Sequence, residues 1–135
     1  MDYETISMEI SSKPEYVSII RLTTSGIANS IGFSLNEIED IKVAVSEACT
    51  NAIRHSKDNK VTFIFKIIEN GLCIEVKDNG IGYDIDNIKK PDLDNPKENG
   101  LGIFIIESLM DKVQIQSEIN KGTIIKMTKY LGVDS

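Results

Sequence analysis

Glu47-Ala48-Cys49-Thr50-Asn51-Ala52-Ile53-Arg54-His55 is the stretch from which the fold is read. Glu47, Asn51 and His55 stand four apart, so on a helix they form one stripe with small alanines beside them. A carboxylate, a carboxamide and an imidazole then point into one zone. The amide oxygen of Asn51 is a hard ligand of the kind Mg²⁺ accepts while it keeps its waters and borrows phosphate oxygens. Glu47, one turn earlier, is placed to orient a nucleophile or take its proton. A solvated polar face on an amphipathic helix accounts for the same residues, so the neighbouring segments decide.

Upstream, Ser34 and Glu37 have capping-box spacing, and Ile38, Ile41, Val45, Ala48 and Ala52 recur at helical intervals. They predict a helix that ends near Ser56. Before it, Ser12 and Glu15 form another capping box and Pro14 suits a first turn. Val17, Ile20, Thr24, Ile27 and Ile31 predict a helix over about 13–31, stopped by Gly32. Residues 3–11 alternate weakly and read as a first strand.

Downstream, residues 61–68 (VTFIFKII) are β-branched and aromatic and read as a strand. Asn70-Gly71 is a hairpin turn, and residues 72–78 return with Leu72, Ile74 and Val76 on one face. Residues 80–99 are polar, hold Pro91 and Pro96, and read as a long functional loop. Gly100-Leu101-Gly102 then opens a short helix marked by Ile103, Ile106 and Leu109. Residues 112–118 and 123–130 form a last hairpin through Asn120 and Gly122. Helices set apart from a mixed, mostly antiparallel sheet predict a single α+β two-layer sandwich over 1–135.

The net charge is −6, with the basic residues scattered among the acids, which argues against direct nucleic-acid binding. No apolar run approaches the roughly 20 residues that cross a bilayer, so no membrane contact is expected. The opening residues MDYETISMEI lack the features of a secretory leader. Cys49 and Cys73 lie in apolar periodic segments and read as buried free thiols. Together these place the protein in the cytoplasm.

Two further segments carry chemistry. In Asp78-Asn79-Gly80-Ile81-Gly82, an aspartate at a strand end can accept a hydrogen bond from an exocyclic amine, and the glycines let backbone approach a flat ring. Gly100-Leu101-Gly102 opens a helix, whose unpaired N–H groups and positive end suit phosphates. Alone, each is also an ordinary turn. No Gly-Lys-Ser/Thr phosphate loop is present.

In this order the segments resemble the GHKL ATPase family of gyrase B, Hsp90, MutL and the sensor histidine kinases. The resemblance implies a Bergerat-type fold that binds ATP and Mg²⁺. Asn51 would ligate Mg²⁺ and Asp78 would contact the adenine amine. Gly80, Ile81 and Gly82 would shape the pocket, and a lid over about 80–99 would close on the phosphates. Gly100, Leu101 and Gly102 would meet the phosphates, though larger members carry a longer glycine-rich stretch there. Thr123, after Gly122, would hold the adenine end. His55, the only histidine, would touch phosphate or solvent and is not a phosphoacceptor.

Within that family the chain is similar to the serine-kinase anti-sigma factors of the sigma-B regulator type. The likeness runs through Pro14-Glu15-Tyr16-Val17, Ile20-Arg21-Leu22-Thr23, Glu37-Ile38-Glu39-Asp40, Val45 to Ala52, Leu109-Met110-Asp111 and Met127-Thr128-Lys129-Tyr130-Leu131. It implies a homodimer that holds an alternative sigma factor inactive and phosphorylates a small anti-anti-sigma protein on Ser or Thr. Glu47 would be the catalytic base, and Arg21 would face partner proteins. A nucleotide-gated binding module without kinase activity is the alternative. A detached histidine-kinase domain is a third reading, disfavoured because no acceptor helix pair is present.

Overall fold

Ser34 shows how local chemistry sets an element boundary. Its hydroxyl accepts from the Glu37 N–H at 3.2 Å, and the Glu37 carboxylate accepts from the Ser34 N–H at 2.8 Å. That reciprocal box starts helix α2, Leu35–His55. In this computed structural model the described residues are 4–80, 101–118 and 121–132, with the side chains of residues 57 and 58 set aside.

Helix α1, Val17–Ile31, ends at Gly32, whose φ of 108° is the left-handed conformation that glycine adopts freely. Its start differs from the expected capping box. Pro14–Tyr16 forms a 3₁₀ turn capped at Lys13, and no side chain caps either this turn or α1. Chain direction here is set from a distance, by the Ser12 N–H donating to the Asn59 carbonyl at 2.8 Å.

The strands are β1 (Glu4–Ser11), β2 (Ser56–Ile68), β3 (Gly71–Gly80), β4 (Lys112–Glu118) and β5 (Gly122–Tyr130). Helix α3 spans Leu101–Leu109. The sheet order is β1-β2-β3-β5-β4, and each neighbouring pair is antiparallel, so the described sheet is not mixed. Strand β2 begins five residues before the expected Val61, directly where α2 ends, and its register shifts between Ser56 and Val61. Gly80 is the last residue of β3 rather than the first of a loop.

One sheet face carries Val61, Phe63 and Phe65 beside Leu72, Ile74 and Val76, then Ile125 and Met127, all buried. Helix α2 lies over β2 and β3, between α1 and α3. Its Ile38, Ile41, Ala44, Val45, Ala48, Cys49 and Ala52 face inward. Burial pushes the Cys49 thiol up to about 11, so it stays protonated and packs as a small apolar group. Cys73 is only half-buried, contrary to expectation, because it alternates onto the other sheet face. That face also holds the Lys66–Glu75 ion pair.

Candidate active site

The last turns of α2 carry the half-buried side chains of Glu47, Asn51 and His55. Their four-residue spacing keeps them on one edge of the helix, and the adjoining face, with Ala48, Cys49 and Ala52, is taken by the core. His55 is the final helical residue, and the chain passes straight into β2.

Asp78 lies near the end of β3 and is 7% exposed. Its Oδ1 accepts from the Gly80 N–H at 2.8 Å. Gly80 pairs with Ser56 across the sheet. A Cβ at Gly80 would run into the His55 carbonyl oxygen and stand 2.6 Å from Asp78 Oδ1. The glycine therefore lets the strand end close against the helix end. His55 titrates below its ordinary value, chiefly because burial disfavours its charged form and secondarily because Arg54 repels the imidazolium, while Asp78 pulls the other way.

Thr123 is the register partner of Asp78 on β5 and is 2% exposed. Its hydroxyl lies 2.8 Å from Ser117 Oγ on β4. Gly122 has a φ of 88°, and a Cβ there would strike the carbonyl oxygen of Asp78. Asp78 and Thr123 are thus held side by side by backbone that tolerates no side chain at the turn.

Helix α3 starts at Leu101, and a Cβ added to Gly102 would stand 3.2 Å from Glu47 Oε2. The Glu47 carboxylate therefore sits against the first turn of α3, where N–H groups lack intrahelical partners and the helix dipole is positive. The far end of α3 is anchored by Lys129, whose ammonium donates to the Leu109 carbonyl at 2.7 Å.

The structure brings together the α2 stripe, the Asp78–Thr123 pair and the α3 start at Leu101 and Gly102. Ile81, Gly82, Gly100 and all but Gly80 of the expected lid over about 80–99 lie outside the described residues. Arg21 is exposed on α1, as are Ile19 and Leu22 beside it in sequence. Sequence reasoning missed Ser117 and Lys129. For Ser117 a signal existed: the alternation Val113, Ile115, Ser117 places it on one strand face, opposite Thr123.

Residues 10–129 match the model of the histidine kinase-like ATPase domain. The chain belongs to that family. It is 44% identical over 140 residues to the serine-protein kinase RsbW of Bacillus cereus (strain ATCC 10987 / NRS 248), covering 96% of this chain and 86% of that one. The RsbW of Bacillus thuringiensis (strain Al Hakam) gives the same figures. Within the family, then, the chain is a serine-protein kinase of the RsbW kind, and ATP is its nucleotide. The fold is also similar to part of the solved structure of the RsbU and RsbW domains of Rv1364c from Mycobacterium tuberculosis, with a TM-score of 0.70, 17% identity, and coverage of 95% of this chain and 32% of that one. The histidine kinase domain of the Erythrobacter litoralis EL346 blue-light activated kinase follows at a TM-score of 0.57 and 21% identity, covering 90% of this chain and 62% of that one.

The donor set suits a hard cation held mainly by its nucleotide. Among the described residues no three His, Cys, Asp or Glu side chains cluster as a protein-built metal cage. A single amide oxygen at Asn51, half-exposed beside Glu47, fits an ion that keeps waters and takes phosphate oxygens. Among the described residues, no helix is long and apolar enough to cross a membrane.

Proposed function

We propose that this RsbW-type kinase is an anti-sigma factor that holds an alternative, sigma-B type sigma factor inactive. It uses Mg-ATP to phosphorylate a small anti-anti-sigma antagonist on Ser or Thr, and it works as a cytoplasmic homodimer. The observation that carries the catalytic part is the nearness of the Glu47 carboxylate to Gly102 at the start of α3, where an added Cβ would stand 3.2 Å from Glu47 Oε2, one turn from Asn51. A base, a metal ligand and a phosphate-binding helix end are neighbours.

In this reading Asp78 accepts from the adenine amine and Thr123 holds the ring beside it. The free N–H groups of the first turn of α3 draw the phosphates toward Leu101 and Gly102. Asn51 would hold Mg²⁺, which neutralises phosphate charge when bound. Glu47 orients the antagonist hydroxyl in line with the γ-phosphorus and takes its proton. The antagonist oxygen bonds to phosphorus, the bond to the β–γ bridging oxygen breaks, and ADP leaves. His55, whose charged form burial and Arg54 disfavour, lines the same edge. Arg21, exposed on α1, belongs to the partner-binding surface.

Glu47→Gln and Arg21→Ala separate the two roles. Glu47→Gln should keep ATP and sigma binding and lose about 10²- to 10⁴-fold in antagonist phosphorylation, the usual share of a general base. Arg21→Ala should weaken partner binding and leave ATP affinity nearly unchanged. The readouts are labelled-phosphate transfer, calorimetry with Mg-ATP and sigma pull-down. A wild-type transfer rate for Glu47→Gln would remove the base assignment and favour a nucleotide-gated binding module.

A further inference from the structure

Ser117 has no part in the reading above. It stands on β4 directly opposite Thr123, on the strand face that also carries Val113 and Ile115. Its Oγ is 2.8 Å from Thr123 Oγ1 and 3.3 Å from the Gly122 carbonyl oxygen. Hydroxyl–oxygen bonds centre near 2.7–2.8 Å and are weak beyond about 3.0 Å.

A serine has one hydroxyl proton. Directed at Thr123 it makes a good bond and leaves the Thr123 proton for another acceptor. Directed at Gly122 it makes a long bond, and the Thr123 proton is then spent on Ser117. A ligand that presents an acceptor beside Thr123 favours the first arrangement, because the Ser117–Thr123 bond is kept and the Thr123 proton gains the ligand as acceptor. Thr123 is only 2% exposed, and at such a site a misdirected hydroxyl is costly.

Asp78 faces Thr123 across the β3–β5 ladder. An ionised carboxylate only accepts hydrogen bonds. Acceptor and donor then stand side by side. That pair complements a ring edge with an exocyclic amine next to an unprotonated ring nitrogen, as in adenine. We propose that Ser117 is a positioning residue for nucleotide recognition: by donating to Thr123 it aims the Thr123 proton at the ring nitrogen next to the adenine amine. This inference rests on the adenine reading of Asp78 and Thr123.

The test compares ATP with 1-deaza-ATP, which keeps the amine and replaces that ring nitrogen by CH. Ser117→Ala should weaken ATP binding about five- to tenfold, the worth of one hydrogen bond at a dry site. It should leave 1-deaza-ATP affinity unchanged, and Ser117→Thr should restore ATP binding. A purely structural role would weaken both nucleotides equally, and that result, or unchanged ATP affinity, overturns the proposal. Wild-type protein that binds both nucleotides equally, while Asp78→Asn weakens ATP, overturns the role of Ser117 but keeps the adenine site. If Asp78→Asn also retains full ATP affinity, the adenine reading itself fails. Should Ser117→Ala not fold, Ser117→Cys, a weak donor, carries the same comparison.

Discussion

Gly80 leaves no room for even a methyl group, since the His55 carbonyl and the Asp78 carboxylate occupy the space. Relief must come from moving backbone, so Gly80→Ala should cost roughly 1–3 kcal/mol, the range of overpacked sites. Urea unfolding measures it, and a midpoint equal to wild type would contradict the close approach. His55 offers a second check. Its folded pKa lies below the ordinary 6.5, with burial the leading cause. A depressed histidine contributes stability that is present above the unfolded pKa and lost as pH falls through the folded one. The imidazole should therefore titrate by NMR with a midpoint under 6.5. The loss of stability just below that pH should flatten in His55→Gln. At this scale the α2 stripe was legible because a four-residue period is local. Ser117 was not singled out, because the alternation that sets it opposite Thr123 does not tell that Asp78 of β3 lies on the far side of Thr123.

Among the elements, α2 shows the same contrast. Ser34 and Glu37 act as the spacing predicts, whereas Ser12 and Glu15 have identical spacing and make no cap. The difference is tertiary: the chain leaving β1 is tied to Asn59, far along the sequence. Residues 56–60 (SKDNK) have little strand propensity, yet pairing of Ser56 with Gly80 draws them into β2. Glu37 does more than its box, because its second oxygen accepts from the Gly132 N–H at 2.8 Å. Its pKa is lowered below 4.5, first by the Ser34 N–H. That stabilisation is present above pH 4.5 and fades as pH falls through the lowered value. Glu37→Ala should cost roughly 0.5–2 kcal/mol, as cap losses do. The variant should also be less sensitive to acid than wild type in thermal melts between pH 6 and 3. Equal melting temperatures at pH 7 would show that the box contributes nothing. Lys129 works at the other end of the site, where it ties the α3 C-terminus to β5 and so steadies the helix whose first turn meets Glu47.

On the scale of the molecule, the helices cover one sheet face and leave the other with the Lys66–Glu75 pair and half-buried Cys73. We propose, from the likeness to the anti-sigma kinases, that the chain pairs; sedimentation at micromolar concentration should then give a dimer. A single monomeric species across that range would refute the homodimer. The layered α+β class was legible because helical and strand periods were cleanly separated along the chain. The sheet order was not, because β5 lies between β3 and β4. That interior place has a consequence for the order of assembly during synthesis. The ribosome delivers Glu47, Asn51 and Asp78 early, but their counterpart Thr123 arrives only with β5, the last described strand. Until the β4–β5 hairpin docks its β5 edge on β3, the emerging polypeptide has Asp78 without Thr123 beside it and an open edge on β3. Such long-range closure is slow relative to local helix formation. Because ATP should hold only the closed arrangement, its binding energy adds to stability after this final docking and not before. On the proposed adenine reading, nucleotide would then stabilise chains that carry β5 in place and not those that stop short of Gly122.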